Sequence, residues 1–187
     1  HHAVWPSRLP RELVIPATTL WFNLEVSARR YPDKAACRFF GRDLSYAELH
    51  AQAEALAGWL MAEGLQAGER VLLFLQNCPQ FVVAFYAVQR ANAVVVPVNP
   101  MNKADEFGHY ITDPQARFAI TSADLAAIVD AAHGRLPEDR RLHRMLVTRY
   151  CEAMPEGGPD PAEAPSDAVL AWLRADPPLP AGAVRWR

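Results

Sequence analysis

An open, mostly parallel α/β sheet with helices on both faces, preceded by a short N-terminal hairpin, is the fold class this sequence predicts. Three observations carry it. Two short runs, 71–75 (VLLFL) and 93–98 (AVVVPV), are apolar, rich in β-branched residues and free of polar alternation, which is how a strand covered on both faces reads. A segment long enough for a helix separates them, so the pair makes a parallel βαβ unit. Beyond it, apolar runs and helical stretches keep alternating, the pattern of a sheet layered with helices.

Taken in order, the chain opens with His1-His2, which reads as the remnant of a purification tag. The stretch up to Ala17 holds Pro6, Pro10 and Pro16 with little periodicity, so residues 1–17 are read as tag remnant and extended arm. A first helix is expected after Thr18 or Thr19, with Leu20, Leu24 and Ser27 on one stripe, ending before Pro32. Two β runs, 35–40 and 43–45, flank Gly41-Arg42 at hairpin spacing. Ser45-Tyr46-Ala47-Glu48 is a capping box, and the helix it opens carries Tyr46, Leu49, Ala53, Leu56 and Leu60 on one face until Gly64 closes it.

The central helix is expected over 81–89, with Asn77 as N-cap, Pro79 in the first turn and Gln80 at the capping-box position. It is apolar almost all round, which predicts burial. Asn92 stands between this helix and the next strand, where a left-handed residue is needed; asparagine takes that conformation best after glycine. Pro97 lacks an N–H, so pairing ends on one side of that strand. A helix over 103–112 should turn Phe107, Tyr110 and Ile111 inward. A strand over 117–121, a helix over 123–133 and a strand over 144–148 follow. Between Pro155 and Pro180 there are seven prolines, broken by one short helix over 166–174.

Composition excludes several functions. Lys and Arg number 19 against 21 Asp and Glu, and the basic residues are scattered, so no stripe suits nucleic acid or an anionic membrane surface. No apolar run approaches the ~20 residues needed to span a bilayer. Cys37, Cys78 and Cys151 have no metal-ligand spacing and read as reduced thiols, which places the expected location in the cytoplasm. There is no glycine-rich phosphate loop, no G-x-G-x-x-G after the first strand, no G-x-S-x-G elbow and no zinc-spaced histidine pair. His50, His109 and His143 are isolated. Asp105-Glu106 and Glu138-Asp139 read as solvated acids, so no catalytic residue and no metal site is expected.

Ligands in open α/β sheets sit outside the carboxyl ends of the strands. That rule selects Gln76-Asn77, Asn99-Pro100 and Thr121-Ser122. Capping and turn roles account for Asn77 and Ser122, whereas Pro100 holds Asn99 extended with its amide free, which makes Asn99 the candidate.

Four segments, Tyr31-Pro32-Asp33-Lys34-Ala35, Leu44-Ser45-Tyr46-Ala47-Glu48-Leu49, Gly68-Glu69-Arg70-Val71 with Gln76-Asn77, and Ala93-Val94-Val95-Val96-Pro97-Val98-Asn99-Pro100, come in the order and spacing of the N-terminal part of the AMP-forming acyl-CoA synthetases. The wording most resembles medium- and long-chain fatty-acyl-CoA ligases of this adenylate-forming superfamily. The resemblance implies a parent enzyme that activates a carboxylate with ATP, forms an acyl-adenylate and passes the acyl group to CoA, using Mg. Its phosphate loop, Thr-Glu pair, Asp, Arg and C-terminal lysine are not in this sequence. Residues 18–150 are therefore expected to be the α/β N-terminal subdomain, and 151–187 a proline-rich linker truncated before the phosphate loop. No cofactor is expected in this part alone.

Two departures from the family stand out. Asn92 replaces a usual glycine, and Met101 replaces an arginine that some relatives place near the CoA phosphates. The CoA region is then left to Asn99 and Lys103. The implied partners are the remaining subdomains of the ligase, with fatty acid, ATP and CoA as its substrates, and apolar surface meant for the next subdomain predicts self-association. The competing readings are a stand-alone flavodoxin-like binding module and a non-catalytic interaction protein.

Overall fold

A computed structural model describes residues 4–159 and 164–186; His1 and His2, and part of the proline-rich stretch, lie outside the described residues. Helix α1 (Leu20–Arg30) starts at Thr19, whose hydroxyl accepts from the Phe22 N–H at 3.1 Å. Strands β1 (Ala35–Phe39) and β2 (Arg42–Ser45) pair antiparallel. The turn between them is Phe40-Gly41, one residue earlier than the sequence suggested. Both residues have positive φ, 48° and 90°, as the two central positions of a type I′ hairpin require, so the glycine sits second in the turn.

Helix α2 (Tyr46–Ala62) carries the expected capping box: Ser45 Oγ accepts from the Glu48 N–H and the Glu48 carboxylate accepts from the Ser45 N–H. Next come β3 (Arg70–Phe74), α3 (Pro79–Arg90), β4 (Val94–Pro97), α4 (Ala104–Thr112), β5 (Phe118–Ser122), α5 (Ala126–Gly134) and β6 (Arg144–Thr148). Helix α6 (Asp167–Arg174) and strand β7 (Val184–Arg185) follow. The five-stranded sheet has the order β4-β3-β5-β6-β7 and is parallel throughout.

The pleat sends alternate side chains to two cores. Val71, Leu73, Phe118, Ile120 and Leu146 meet α1, α2, α3 and the hairpin. Leu72, Phe74, Ala119, Met145 and Val147 meet α4 and α5 through Phe107, Ile111, Ala126 and Val129. Helices thus lie on both faces, as predicted.

Four local expectations need correction. The N-cap of α3 is Cys78, not Asn77, and no side chain caps this helix. Proline at position 79 drives the residue before it into the extended region, so Cys78 (φ −153°, ψ 165°) becomes the last non-helical residue. Gln80 forms no capping box; its side chain is buried and its Nε2 donates to the Arg149 carbonyl at 2.9 Å. Strand β4 is not covered on both faces. It is the sheet edge, with Val94 45% exposed, and Pro97 blunts that edge. Tyr110 and Leu20 are exposed, since Phe107 and Ile111 in α4 and Leu24 in α1 suffice to make those contacts.

Three helix ends use one device. In α2 the Leu65 N–H reaches the Leu60 carbonyl, in α3 the Ala93 N–H reaches Val88, and in α4 the Ala116 N–H reaches Ile111. The left-handed residues at these junctions are Gly64 (φ 94°), Asn92 (φ 55°) and Gln115 (φ 53°). Each junction also packs an apolar pair, for example Leu65 with Leu60, both buried. At the α3–β4 junction this turns the helix almost directly into the next strand.

Candidate functional site

In this strand order, β3 connects outward to β4 and the chain then crosses back to β5 on the opposite side. The topological switch point therefore lies between the carboxyl ends of β3 and β5, where open sheets of this kind offer a crevice to ligands. Here the crevice is filled by the protein. Tyr150, which follows β6, extends its hydroxyl across the gap, accepting from the Gln76 N–H at 3.1 Å and donating to Ser122 Oγ at 2.9 Å. Ser122 Oγ in turn donates to Asp124 Oδ1 at 2.5 Å. The other oxygen of Asp124 accepts from the indole of Trp172 at 2.9 Å, and the Trp172 ring lies 4.7 Å from that of Tyr150. Burial pushes the Tyr150 hydroxyl up to about 12.

Among the strand-end residues chosen from sequence, Thr121 is fully used. Its Oγ1 donates to the Phe74 carbonyl at 2.9 Å and stitches β5 to β3. Gln76 and Asn77 are exposed. Asn99 is exposed too, but its amide is not free: Oδ1 accepts from the Met101 N–H at 3.0 Å, an Asx turn that leads into α4. Lys103 is the N-cap of α4, exposed, with its N–H bonded to the Glu106 carboxylate at 2.9 Å. Asn99 thus opens the four-residue turn 99–102 and Lys103 directly follows it, beyond the edge strand β4.

A second concavity lies on the α2 side of the sheet, over β6 and β7. It encloses about 870 Å³ between Leu56 and Trp59 of α2, Leu146 of β6, and Val184 and Trp186 around β7. Arg42, Arg149, Glu152 and Arg185 also line it. Glu152 accepts from Thr148 Oγ1 at 3.0 Å and from Arg149 Nε at 2.9 Å. Asp176 accepts from Arg149 and Arg185, both at 2.9 Å, and the Arg185 guanidinium, first among these neighbours, holds its carboxyl below the usual range. Gln80 lines the groove as well; its Oε1 is buried without a hydrogen-bond partner.

Among the described residues no group of three or more His, Cys, Asp or Glu side chains could hold a metal ion. Ser122 already gives its proton to Asp124 and accepts from Tyr150, so it is a structural link, not an activated nucleophile. His50 lies 4.8 Å from the Trp21 ring, and the His143 ring nitrogen meets the Glu63 carbonyl at 3.2 Å. The three cysteines are free thiols. Sequence reasoning missed Tyr150, Arg149 and Trp172. A signal existed: Arg149-Tyr150 directly follows the strand that ends at Thr148 and meets the same strand-end rule that selected Asn99.

A sequence profile of the family described as "AMP-binding enzyme" matches residues 24–181. A long-chain-fatty-acid–CoA ligase of Bacillus subtilis (strain 168) is 40% identical over 119 residues, covering 64% of this chain and 21% of that protein. An oxalate–CoA ligase of Arabidopsis thaliana is 30% identical over 156 residues, covering 81% of this chain and 29% of its own length. The chain therefore spans less than a third of these curated relatives. Among solved structures, a fatty acyl CoA synthetase of Mycobacterium tuberculosis superposes with a TM-score of 0.63 at 22% identity, over 88% of this chain and 30% of that one. That last likeness speaks to the fold.

Proposed function

Because the chain belongs to the AMP-binding enzyme family, we propose that it supplies the first α/β unit of a medium- or long-chain fatty-acid–CoA ligase. The whole enzyme then makes acyl-CoA from a carboxylate, ATP and CoA through an acyl-adenylate. The observation that carries this reading is the family match over 24–181, which runs from α1 through α6 and so takes in nearly the whole sheet. The switch-point crevice, filled by Tyr150 and Trp172, weighs against a stand-alone flavodoxin-like binding module.

Mg and ATP do not fit the residues present. No described cluster of carboxylates could hold the metal, and no glycine-rich loop cradles phosphates, so no step of adenylate formation is assigned to this chain. Its role is to present a rigid sheet to the remaining subdomains. CoA is the one ligand toward which residues of this unit are offered. Lys103 is an exposed cation in the turn after β4, and Asn99 orders that turn through its Asx bond. They support a weak electrostatic contact with the CoA phosphates. The free thiols fit work in the cytoplasm, and no helix among the described residues is long and apolar enough to cross a membrane.

A chimera tests the reading. Residues 18–186 replace the matching first part of the Bacillus subtilis long-chain ligase, and fatty-acid-dependent acyl-CoA formation is measured. Activity is expected to persist, with Lys103→Glu raising KM for CoA several-fold at unchanged kcat. A chimera that melts cooperatively but forms neither acyl-adenylate nor acyl-CoA would overturn the assignment.

A further inference from the structure

We draw no further inference here: the strongest candidate, the concavity between α2 and β6–β7 that the unpartnered Oε1 of buried Gln80 helps to line, borders the last strand of a chain spanning less than a third of its relatives, and nothing in the structure shows what covers it.

Discussion

Substituting Asn92 isolates the cost of the left-handed junction between α3 and β4. Its φ of 55° places it at the residue after the C-cap, with the Asn92 N–H on the Gln89 carbonyl at 3.1 Å and the Ala93 N–H on Val88 at 3.0 Å. The Asn92 carbonyl also accepts from the Gly68 N–H at 2.8 Å, which ties the loop before β3 to the same corner. The side chain itself is exposed, so replacing it disturbs the backbone conformation and little else. Asn92→Gly removes a left-handed penalty of about 1 kcal/mol but adds roughly 0.5–1 kcal/mol of unfolded-state freedom. The two nearly cancel. Asn92→Val puts a β-branched residue where its Cβ crowds the following carbonyl, a strain of about 1–3 kcal/mol. For a chain of this length about 1 kcal/mol moves the midpoint by roughly 2–4 °C, so Val should melt about 2–12 °C below wild type and Gly within a degree or two of it. Thermal unfolding followed by circular dichroism reads the difference. Equal midpoints for Gly and Val would show that the junction is not held in the left-handed region.

Tyr150→Phe should destabilise by about 1–3 kcal/mol, because the Gln76 N–H loses its acceptor and Ser122 loses a donor; urea midpoints measure it. On the alkaline side, burial raises the Cys78 thiol from 9.0 to about 11. The folded chain thus keeps a proton that the unfolded chain releases, and stability should fall as pH rises from 9 toward 11, with a shallower fall in Cys78→Ala. On the acid side, burial, and secondarily Arg141, lowers the His133 pKa below 6.5, and its neutral Nδ1 accepts from the Leu142 N–H at 3.0 Å. That contribution is present above 6.5 and is lost as pH falls through the folded value, so His133→Asn should flatten the acid limb of stability against pH. The 187-residue chain alone should exchange no labelled pyrophosphate into ATP above a blank when given fatty acid, since it has no phosphate loop.

Backbone chemistry was the readable part of this sequence. The Ser45 box, Asn92, Gly64 and the 144–148 strand come from residues whose local preference agrees with their tertiary setting, so the signal survives folding. Where two local rules compete, sequence reading chooses wrongly: asparagine at 77 is a good cap, yet the extended geometry imposed ahead of Pro79 gives the position to Cys78. Edge position was only half legible for 93–98: Pro97 announced that pairing ends on one side of the strand, but the apolar run itself reads alike at the centre and the rim of a sheet. Only the strand order, with β4 outermost, exposes Val94. Strand β7 is two residues long and its neighbours are prolines and glycine, so no periodicity announces it.

The strand-end rule behaved differently, and the reason bears on what this unit is for. It led to Asn99, which the structure uses to close its own turn, and it passed over Tyr150, which reaches the switch point from β6. A crevice at a switch point exists because two loops diverge there, and something must satisfy the groups they leave behind. In a binding protein that something is the ligand. Here Tyr150 bridges the Gln76 N–H and Ser122, and Trp172 occupies Asp124, so these groups are satisfied before any ligand arrives. A small molecule would have to displace a stacked indole and a buried hydroxyl and replace their hydrogen bonds, for little net gain. The sheet's ligand position has become a clamp joining α6 to β3 and β5.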